Sequence, residues 1–393
     1  MTQRQFPKRL RIAVLSRGFF SQGGGAENYS IALVEKLAER HEVHVFTQHL
    51  SHDHPGVTYH LLTQCVSRPS WIDLLCFDIR CWWATRRGFD VVHSHENTWH
   101  GMVQTVHVRP VKVGLFHQRK NFRKAVRYLQ IATSVRLWVY LILERMRFSL
   151  APGKAVIACS EAVQQEIESA YPKLKGKTHL LPPGVRLPAL LTGAEKIELR
   201  RSLSIPDSAF VLLFVGNDYE KKGLRTLLNA MPALNNNVFL MVVGNAAHIP
   251  KFSKLASELA VDARVKFVGA VSSVAPFYQS SDVLVHPTVE DTFSMVVLEG
   301  LANALPVIVS NAAYCGIAQH LHHEVDALIL ENPNSDKEVV TCVQLLQNDL
   351  NIGLRLGTAG RKFASKYDWD TLAERQEVLY LAAVREKLHI FYL

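Results

Sequence analysis

The chain has 393 residues, 48% of them apolar and 20% charged, with 16 Pro and 21 Gly. That is material for two well-buried cores, and it excludes a disordered, collagen-like or single small-module protein. The net charge of +9 is uneven: 26 Lys/Arg stand against 13 Asp/Glu through residue 190 and 18 against 22 beyond it, so an anionic partner is expected to meet chiefly the first half.

At the N-terminus Arg11 and Arg17 interrupt the apolar stretch and no small-residue cleavage site follows, so no secretory leader is expected. From there short apolar, β-branched runs alternate with helical patterns, as α/β units around parallel sheets require. Strands are predicted at 10–16, 42–47, 90–94, 103–107, 155–159 and 178–182, with helices between them. The best-defined helix is 26–40, where Ile31, Ala32, Leu33, Val34, Leu37 and Ala38 recur at helical spacing. Residues 181–196, with three prolines and two glycines, read as a linker whose boundary lies near 188. The second half repeats the scheme with strands at 211–216, 239–244, 265–269, 282–287 and 306–310. Two Rossmann-like lobes are therefore expected, residues 1–188 and 189–370, with a C-terminal helix at 371–393 packing back on the first. The longest apolar run, Leu137 to Leu143, falls far short of the roughly 20 residues of a membrane span. The six cysteines (65, 76, 81, 159, 315, 342) form no C-x-x-C pair, which points to a reducing cytosol.

Sheets of this kind bind ligands beyond the carboxyl ends of their strands, where helix N-termini offer N–H groups to anions. Four stations lie there. Ser21-Gln-Gly-Gly-Gly-Ala-Glu27 enters the first good helix, and a phosphate could approach the amides of Gly24 and Gly25; a plain flexible helix entry fits equally well. Gly216-Asn-Asp-Tyr-Glu-Lys-Lys-Gly223 leaves a strongly apolar strand, and Lys221 and Lys222 would neutralise a diphosphate there, unless they are an ordinary solvated pair. The most specific station is His286-Pro-Thr-Val-Glu-Asp-Thr-Phe-Ser-Met-Val-Val-Leu-Glu299, where a helix begins near Ser294 with Asp291 and Glu299 on either side of its N-terminus. Glu299 sits among Val296, Val297 and Leu298, where an ionised carboxylate needs a partner; the plain account is a capping Asp and a core-facing Glu. Last, His93, His95 and His107 end two adjacent predicted strands. With no accompanying carboxylate pattern they read less as metal ligands than as a hydrogen-bonding His107 in an acceptor pocket and a packing His93.

These residues resemble the retaining, nucleotide-sugar-dependent glycosyltransferases of the GT-B fold, group 1 type. The resemblance covers nearly the whole chain. It rests on Gly24, Gly25 and Glu27, on His107, on Ala158-Cys-Ser160-Glu161, on Pro182-Pro-Gly184-Val185, on the turn at 215–223, and above all on Asp291…Glu299 with the trailing Ala304-Leu-Pro306-Val. Within the family LPPGV (181–185), VGNDYEKKG (215–223) and DVLVHPTVEDTFSMVVLEG (282–300) are most similar to the bacterial lipopolysaccharide core glucosyltransferases. The resemblance implies an α/β, GT-B fold with two Rossmann-like lobes whose parallel sheets face a central cleft. It also implies transfer of a hexose from a UDP-sugar, such as UDP-glucose, to a lipopolysaccharide core or other lipid-linked glycan at the cytoplasmic face of the inner membrane. Residue by residue, Gly24 and Gly25 would touch the donor phosphates from the first lobe and Lys222, with Lys221, from the second. Asp291 and the amides of Ser294, Met295 and Val296 would hold the sugar and diphosphate, Glu299 the ribose hydroxyls, and His107 would line the reaction centre, with no metal or other cofactor. This chain departs from the family pattern in having Asp291 for the common Glu (with Glu290 one register away), Ser294 for Gly, Asn217 for Arg, and Ala302-Asn-Ala304 for Ala-Cys-Gly. A nucleotide-sugar epimerase or hydrolase of the same two-lobed fold is the alternative activity.

Between Val103 and Leu150 Glu144 is the one acid against ten bases, Arg109, Lys112, Arg119, Lys120, Arg123, Lys124, Arg127, Arg136, Arg145 and Arg147, interleaved with Phe116, Phe122, Tyr128, Trp138 and Tyr140. Residues 109–147 thus read as a surface for an anionic membrane, with an ordinary basic helical hairpin as the plain alternative. No nucleic-acid motif accompanies the charge. The expected location is cytoplasmic, peripheral to the inner membrane.

Overall fold

A computed structural model of the chain describes residues 9–20, 25–116, 131, 133–149 and 151–390. Two units emerge: Met1–Pro183 together with Trp369–Leu393, and Gly184–Asp368. The first boundary falls at Gly184 rather than at 188 because Val185 already pairs with Asp368 and donates its N–H to the Tyr367 carbonyl at 2.7 Å. The last helix, Trp369–Ile390, starts two residues before the expected 371 and belongs to the first unit. There its Trp369 ring lies 5.4 Å from Tyr29, and Asp370 meets Lys36 at 2.8 Å.

In the first unit the strands are β1 (Arg11–Leu15), β2 (Gly18–Phe20), β3 (Glu42–Thr47), β4 (His49–Ser51), β5 (Val57–Leu61), β6 (Val91–Ser94), β7 (Val103–Val106), β8 (Ala155–Ala158) and β9 (Thr178–Leu180). Seven of them form a parallel sheet in the order β5-β3-β1-β6-β7-β8-β9, and β2 pairs with β4 separately. The second unit holds β10 (Phe210–Gly216), β11 (Val238–Gly244), β12 (Val265–Gly269), β13 (Val283–His286), β14 (Val307–Ser310) and β15 (Leu328–Leu330), parallel in the order β12-β11-β10-β13-β14-β15.

Both sheets are covered on both faces, which is why their central strands read as unbroken apolar runs. Along β10, Val211, Leu213 and Val215 join one core while Leu212 and Phe214 join the other. In β1, Ile12 and Val14 pack with Tyr29, Leu33 and Leu37, and Ala13 and Leu15 face Phe77 and Cys81. Each such Leu, Val or Phe contributes about 1.5–3 kcal/mol of burial. The expectation missed β2, β4, β5 and β15. The first two and β15 are three residues long, too short for an apolar run to stand out, and β5 is an edge strand with Leu61 65% exposed.

In each sheet the chain builds outward from a central strand to one edge and then returns to build toward the other. Strand order therefore reverses between β1 and β6, and again between β10 and β13. The crevice beyond the carboxyl ends of such a pair is where a doubly wound sheet takes its ligand.

Candidate active site

In the second unit the reversal lies between the loop after β10 and the loop after β13. The first winds through Lys222 N–H to Asp218 O (2.9 Å) and Lys221 N–H to Asp218 Oδ1 (3.1 Å) before the helix Leu224–Ala230 begins. Gly223 makes the turn at φ 81°, and a Cβ there would stand 1.9 Å from the Pro287 carbonyl oxygen. Only glycine lets the two loops touch. Val289 N–H and the Thr288 hydroxyl both donate to Lys221 O, at 2.9 and 3.1 Å, and fasten them together.

This clasp brings Lys222 Nζ to 2.6 Å from Asp291 Oδ2. The same oxygen lies 3.3 Å from His286 Nε2, which is 3.1 Å from Ser294 Oγ. Burial opposes ionisation of Asp291, but the His286 hydrogen bond and the Lys222 charge outweigh it and hold the carboxyl well below the usual range. His286 is itself buried, and burial keeps the imidazole neutral by lowering its pKa despite Asp291. Ser294 then opens the helix Met295–Ala302 in a left-handed conformation, φ 80° and ψ 86°, with no side-chain cap to the helix because its hydroxyl is turned to His286. Such a backbone costs a non-glycine residue about 1–2 kcal/mol, and strain of this sort clusters at ligand sites. The helix thus begins with its dipole's positive end beside an ammonium, an arrangement that attracts anions.

Of the expected residues in this unit, Lys222, Asp291 and Ser294 are joined, and Met295 and Val296 form the helix start. Lys221 is instead an exposed ion pair with Glu290 at 3.1 Å, a rim contact of small energetic weight. Glu299 has the partner its surroundings demand: the Tyr278 hydroxyl, from the helix Ala275–Ser280, donates to Oε2 at 2.7 Å. Burial raises the Glu299 pKa, and that bond offsets it only in part. Sequence reasoning missed His286, Thr288 and Tyr278 as members of the cluster. The first two lie inside the motif it singled out, but no spacing rule links Tyr278 to Glu299.

In the first unit Gly25 opens the helix Gly25–Ala38, with Glu27 in its first turn; Gly24 lies outside the described residues. His93, His95 and His107 come together as a stacked column, with ring centroids 4.3 Å apart for the first pair and 5.1 Å for the second. His93 is fully buried and bonds Tyr380 OH and Thr105 Oγ1, both at 2.7 Å. In His107, Nδ1 lies 3.1 Å from Cys159 Sγ and Nε2 2.8 Å from His95 Nδ1, so both ring nitrogens are paired within the unit. Burial and then the Arg147 charge lower its pKa to about 3. Among the described residues no group of three or more His, Cys, Asp or Glu side chains is arranged to hold a metal ion.

The basic segment is only partly a surface. Arg119, Lys120, Arg123, Lys124 and Arg127, with Phe122 and Tyr128, lie outside the described residues. Arg147 points inward, donating to Gln104 Oε1 (3.1 Å) and Thr105 O (2.5 Å). Arg109 is paired with Glu166 at 2.8 Å, and Lys112 reaches Ala170 O at 2.5 Å. On the helix Val135–Arg147, however, Val135, Trp138, Ile142 and Met146 are 63%, 51%, 51% and 44% exposed, and Arg136 and Arg145 are exposed beside them. No described helix is long and apolar enough to cross a membrane.

Comparison with known proteins places the chain in context. Residues 195–363 match the model of glycosyl transferases group 1, and residues 23–187 that of glycosyltransferase family 4. Over 308 residues, 75% of this chain and 76% of its relative, the sequence is 27% identical to an uncharacterized glycosyltransferase of Methanocaldococcus jannaschii. It is 24% identical over 400 residues to a D-inositol 3-phosphate glycosyltransferase of Thermobispora bispora, covering 93% and 91%. With the lipopolysaccharide glucosyltransferase WaaG of Escherichia coli it shares 23% identity over 244 residues, 60% of this chain and 64% of that one. Among solved structures, WaaG superposes with a TM-score of 0.77 at 19% identity over 93% of this chain and 98% of its own, and Anabaena HepE in complex with UDP-glucose with 0.72 at 17% identity over 97% and 100%. These structures share the GT-B fold with this chain.

Proposed function

Because the chain belongs to the group 1 glycosyltransferases, with a family 4 first half, we propose that it moves a hexose from a UDP-sugar to a lipid-linked glycan with retention at the sugar carbon. The observation that carries the reading is the joining of Lys222 and Asp291 at the strand reversal of the second unit, in front of the helix that Ser294 opens. An ammonium and a helix start held by interlocked loops are what a departing diphosphate needs. The acceptor hydroxyl attacks C1 on the face the nucleotide leaves. The C1–O bond to the β-phosphate breaks as the C1–O bond to the acceptor forms, and the acceptor proton passes to the released phosphate oxygen. Lys222 and the amides of Ser294 to Val296 stabilise the charge on the leaving group, so the reaction calls for no metal. Asp291 and Glu299 fix sugar and ribose hydroxyls, and the first unit carries the acceptor side.

UDP and UDP-glucose in the HepE structures and the lipopolysaccharide glucosyltransferase named among the relatives support a UDP-hexose and a lipopolysaccharide-type acceptor. The exposed stripe Val135, Trp138, Ile142 and Met146, flanked by Arg136 and Arg145, supports docking on an anionic membrane from the cytoplasmic side, with about 1 kcal/mol from each cation near the lipid. The test is thermal-shift screening with UDP-glucose, UDP-galactose, UDP-N-acetylglucosamine and GDP-mannose, followed by product analysis with and without heptose-terminated lipopolysaccharide core and EDTA. A UDP-sugar should raise Tm and yield an α-linked product in EDTA. Free epimer or free hexose alone would establish the alternative activity, and an inverted linkage would refute the mechanism.

A further inference from the structure

Among the described residues three groups hydrogen-bond the Asp291 carboxylate, and they differ in kind. Lys222 Nζ reaches Oδ2 at 2.6 Å, the Phe293 N–H reaches Oδ1 at 3.4 Å, and His286 Nε2 lies 3.3 Å from Oδ2. The lysine is a point charge on a flexible stem that prescribes no direction, and its side chain is 23% exposed. The imidazole is planar and wholly buried. It ends β13, where His286 pairs in register with Val309 and the strand lies between β10 and β14. The next residue, Pro287, is the one against which Gly223 turns, so the ring stands on rigid backbone. The same Nε2 is 3.1 Å from the hydroxyl of Ser294, the residue that opens the helix Met295–Ala302. One ring atom thus bonds both the carboxylate and the helix start.

Resting on the glycosyl-transfer reading, we propose that His286 is the positioning residue of the donor site, and that the choice of hexose depends on it. Its Nε2–H holds Asp291 and Ser294 at once, and so fixes the separation between the group that grips the sugar and the group that receives the diphosphate. The place of the proton follows from the partner. An ionised carboxylate only accepts, so Nε2 carries the hydrogen and shares it between Asp291 Oδ2 and Ser294 Oγ. Burial keeps the ring neutral, which leaves Nδ1 without a proton. Lys222 supplies charge and His286 supplies direction. In a nucleotide-sugar the hexose and the diphosphate are covalently joined. A rigid spacing between their two binding groups therefore aligns C1 and admits only a sugar whose hydroxyls fall at the matching distance from the phosphates.

Two kinds of measurement on the full chain test this. In the protein labelled with 15N-histidine, long-range NMR at pH 7 should show His286, assigned by the signal lost in His286→Gln, neutral with its proton on Nε2. A proton on Nδ1 overturns the proposal whatever the activity. In kinetics, His286→Leu should bind UDP within about threefold of wild type yet lose about tenfold to a hundredfold in kcat, the cost of a slight misalignment, and the ratio of kcat/KM between UDP-glucose and UDP-galactose should move toward one. His286→Gln, whose amide N–H stands near the place of Nε2, should recover part of both. In an Asp291→Ala background the further loss on His286→Leu should shrink below about threefold, because the histidine acts through that carboxylate. An undiminished loss there, or UDP affinity that falls in step with kcat, would mark a merely structural role and overturn the proposal. A wild type that uses no nucleotide-sugar refutes the transfer reading and the proposal with it, whereas turnover by wild type with these losses absent overturns the proposal alone.

Discussion

Replacing Lys222 with alanine removes the one cation joined to the carboxylate cluster of the second unit. Its ammonium lies 2.6 Å from Asp291 Oδ2, and the two side chains are 23% and 15% exposed, so the site is neither dry nor fully screened. For a phosphate oxygen about 4 Å from that charge, Coulomb's law gives about 4 kcal/mol at an effective dielectric constant near 20. Part of this is already felt by the ground-state diphosphate, which leaves about 3 kcal/mol for the additional charge of the transition state, near the measured worth of a single oxyanion donor. At 1.4 kcal/mol per decade the expected loss in kcat is about a hundredfold. Stability should suffer far less, by about 1 kcal/mol, because the Asp291 carboxylate keeps His286 and accepts from Phe293 N–H at 3.4 Å. The assay is turnover at saturating UDP-glucose, paired with Tm for the same preparation. A Lys222→Ala protein within threefold of wild-type kcat, with Tm unchanged, would remove the lysine from the chemistry and with it the metal-free mechanism.

Other perturbations bear on the same clasp. Gly223→Ala would drive a Cβ to 1.9 Å from the Pro287 carbonyl and force a positive φ, so stability should fall by more than about 3 kcal/mol and the Tm rise with UDP-glucose should vanish; a fold within 1 °C of wild type would contradict it. At Ser294, alanine keeps the left-handed strain and loses the His286 bond, whereas glycine loses the bond and sheds the strain. Ser294→Gly should therefore exceed Ser294→Ala in denaturant stability by about 1 kcal/mol, and the reverse order would disprove strain at this position. Glu299→Gln tests the buried carboxylate through pH. An acid whose folded pKa is raised favours folding while protonated and loses that contribution as pH rises through the folded value. The variant should melt above wild type at pH 8, with the gap closing toward pH 4, while its affinity for UDP-glucose falls at pH 8. A gap that widens toward acid would refute the raised pKa.

How far these features could be read from the sequence depended on whether they were periodic. Central strands such as Phe210–Gly216 and Val238–Gly244 are buried on both faces, so their runs of apolar residues were unmistakable. The edge strand Val57–Leu61 has only half-buried and exposed positions and offered no run to detect. Asp291 and Glu299 were legible because both lie within one strand-loop-helix segment whose geometry the spacing fixes. Tyr278, the partner of Glu299, lies 21 residues earlier on another helix, and only the folded packing brings the hydroxyl to the carboxylate. The left-handed backbone at Ser294 was likewise out of reach, because serine rarely adopts it and nothing in the residue type announces it.

Histidine shows where that limit lies. Strand ends can be placed from sequence to within a residue or two, and they put His93, His95 and His107 on one side of one sheet, as found. What distinguishes the three is which ring nitrogen remains unsatisfied after folding, and that depends on partners as distant as Tyr380, 287 positions from His93. Pattern alone favoured His107 because it ends a clear strand. Of the six ring nitrogens, the one without a partner among the described residues is His95 Nε2, and it is buried. Backbone topology therefore decides where a ligand can lie, and side-chain pairing decides which atom greets it. In the second unit the two criteria agree on Lys222 and Asp291. In the first they separate: the strand reversal lies between β1 and β6, whereas His107, with both ring nitrogens paired, stands one strand away at the end of β7.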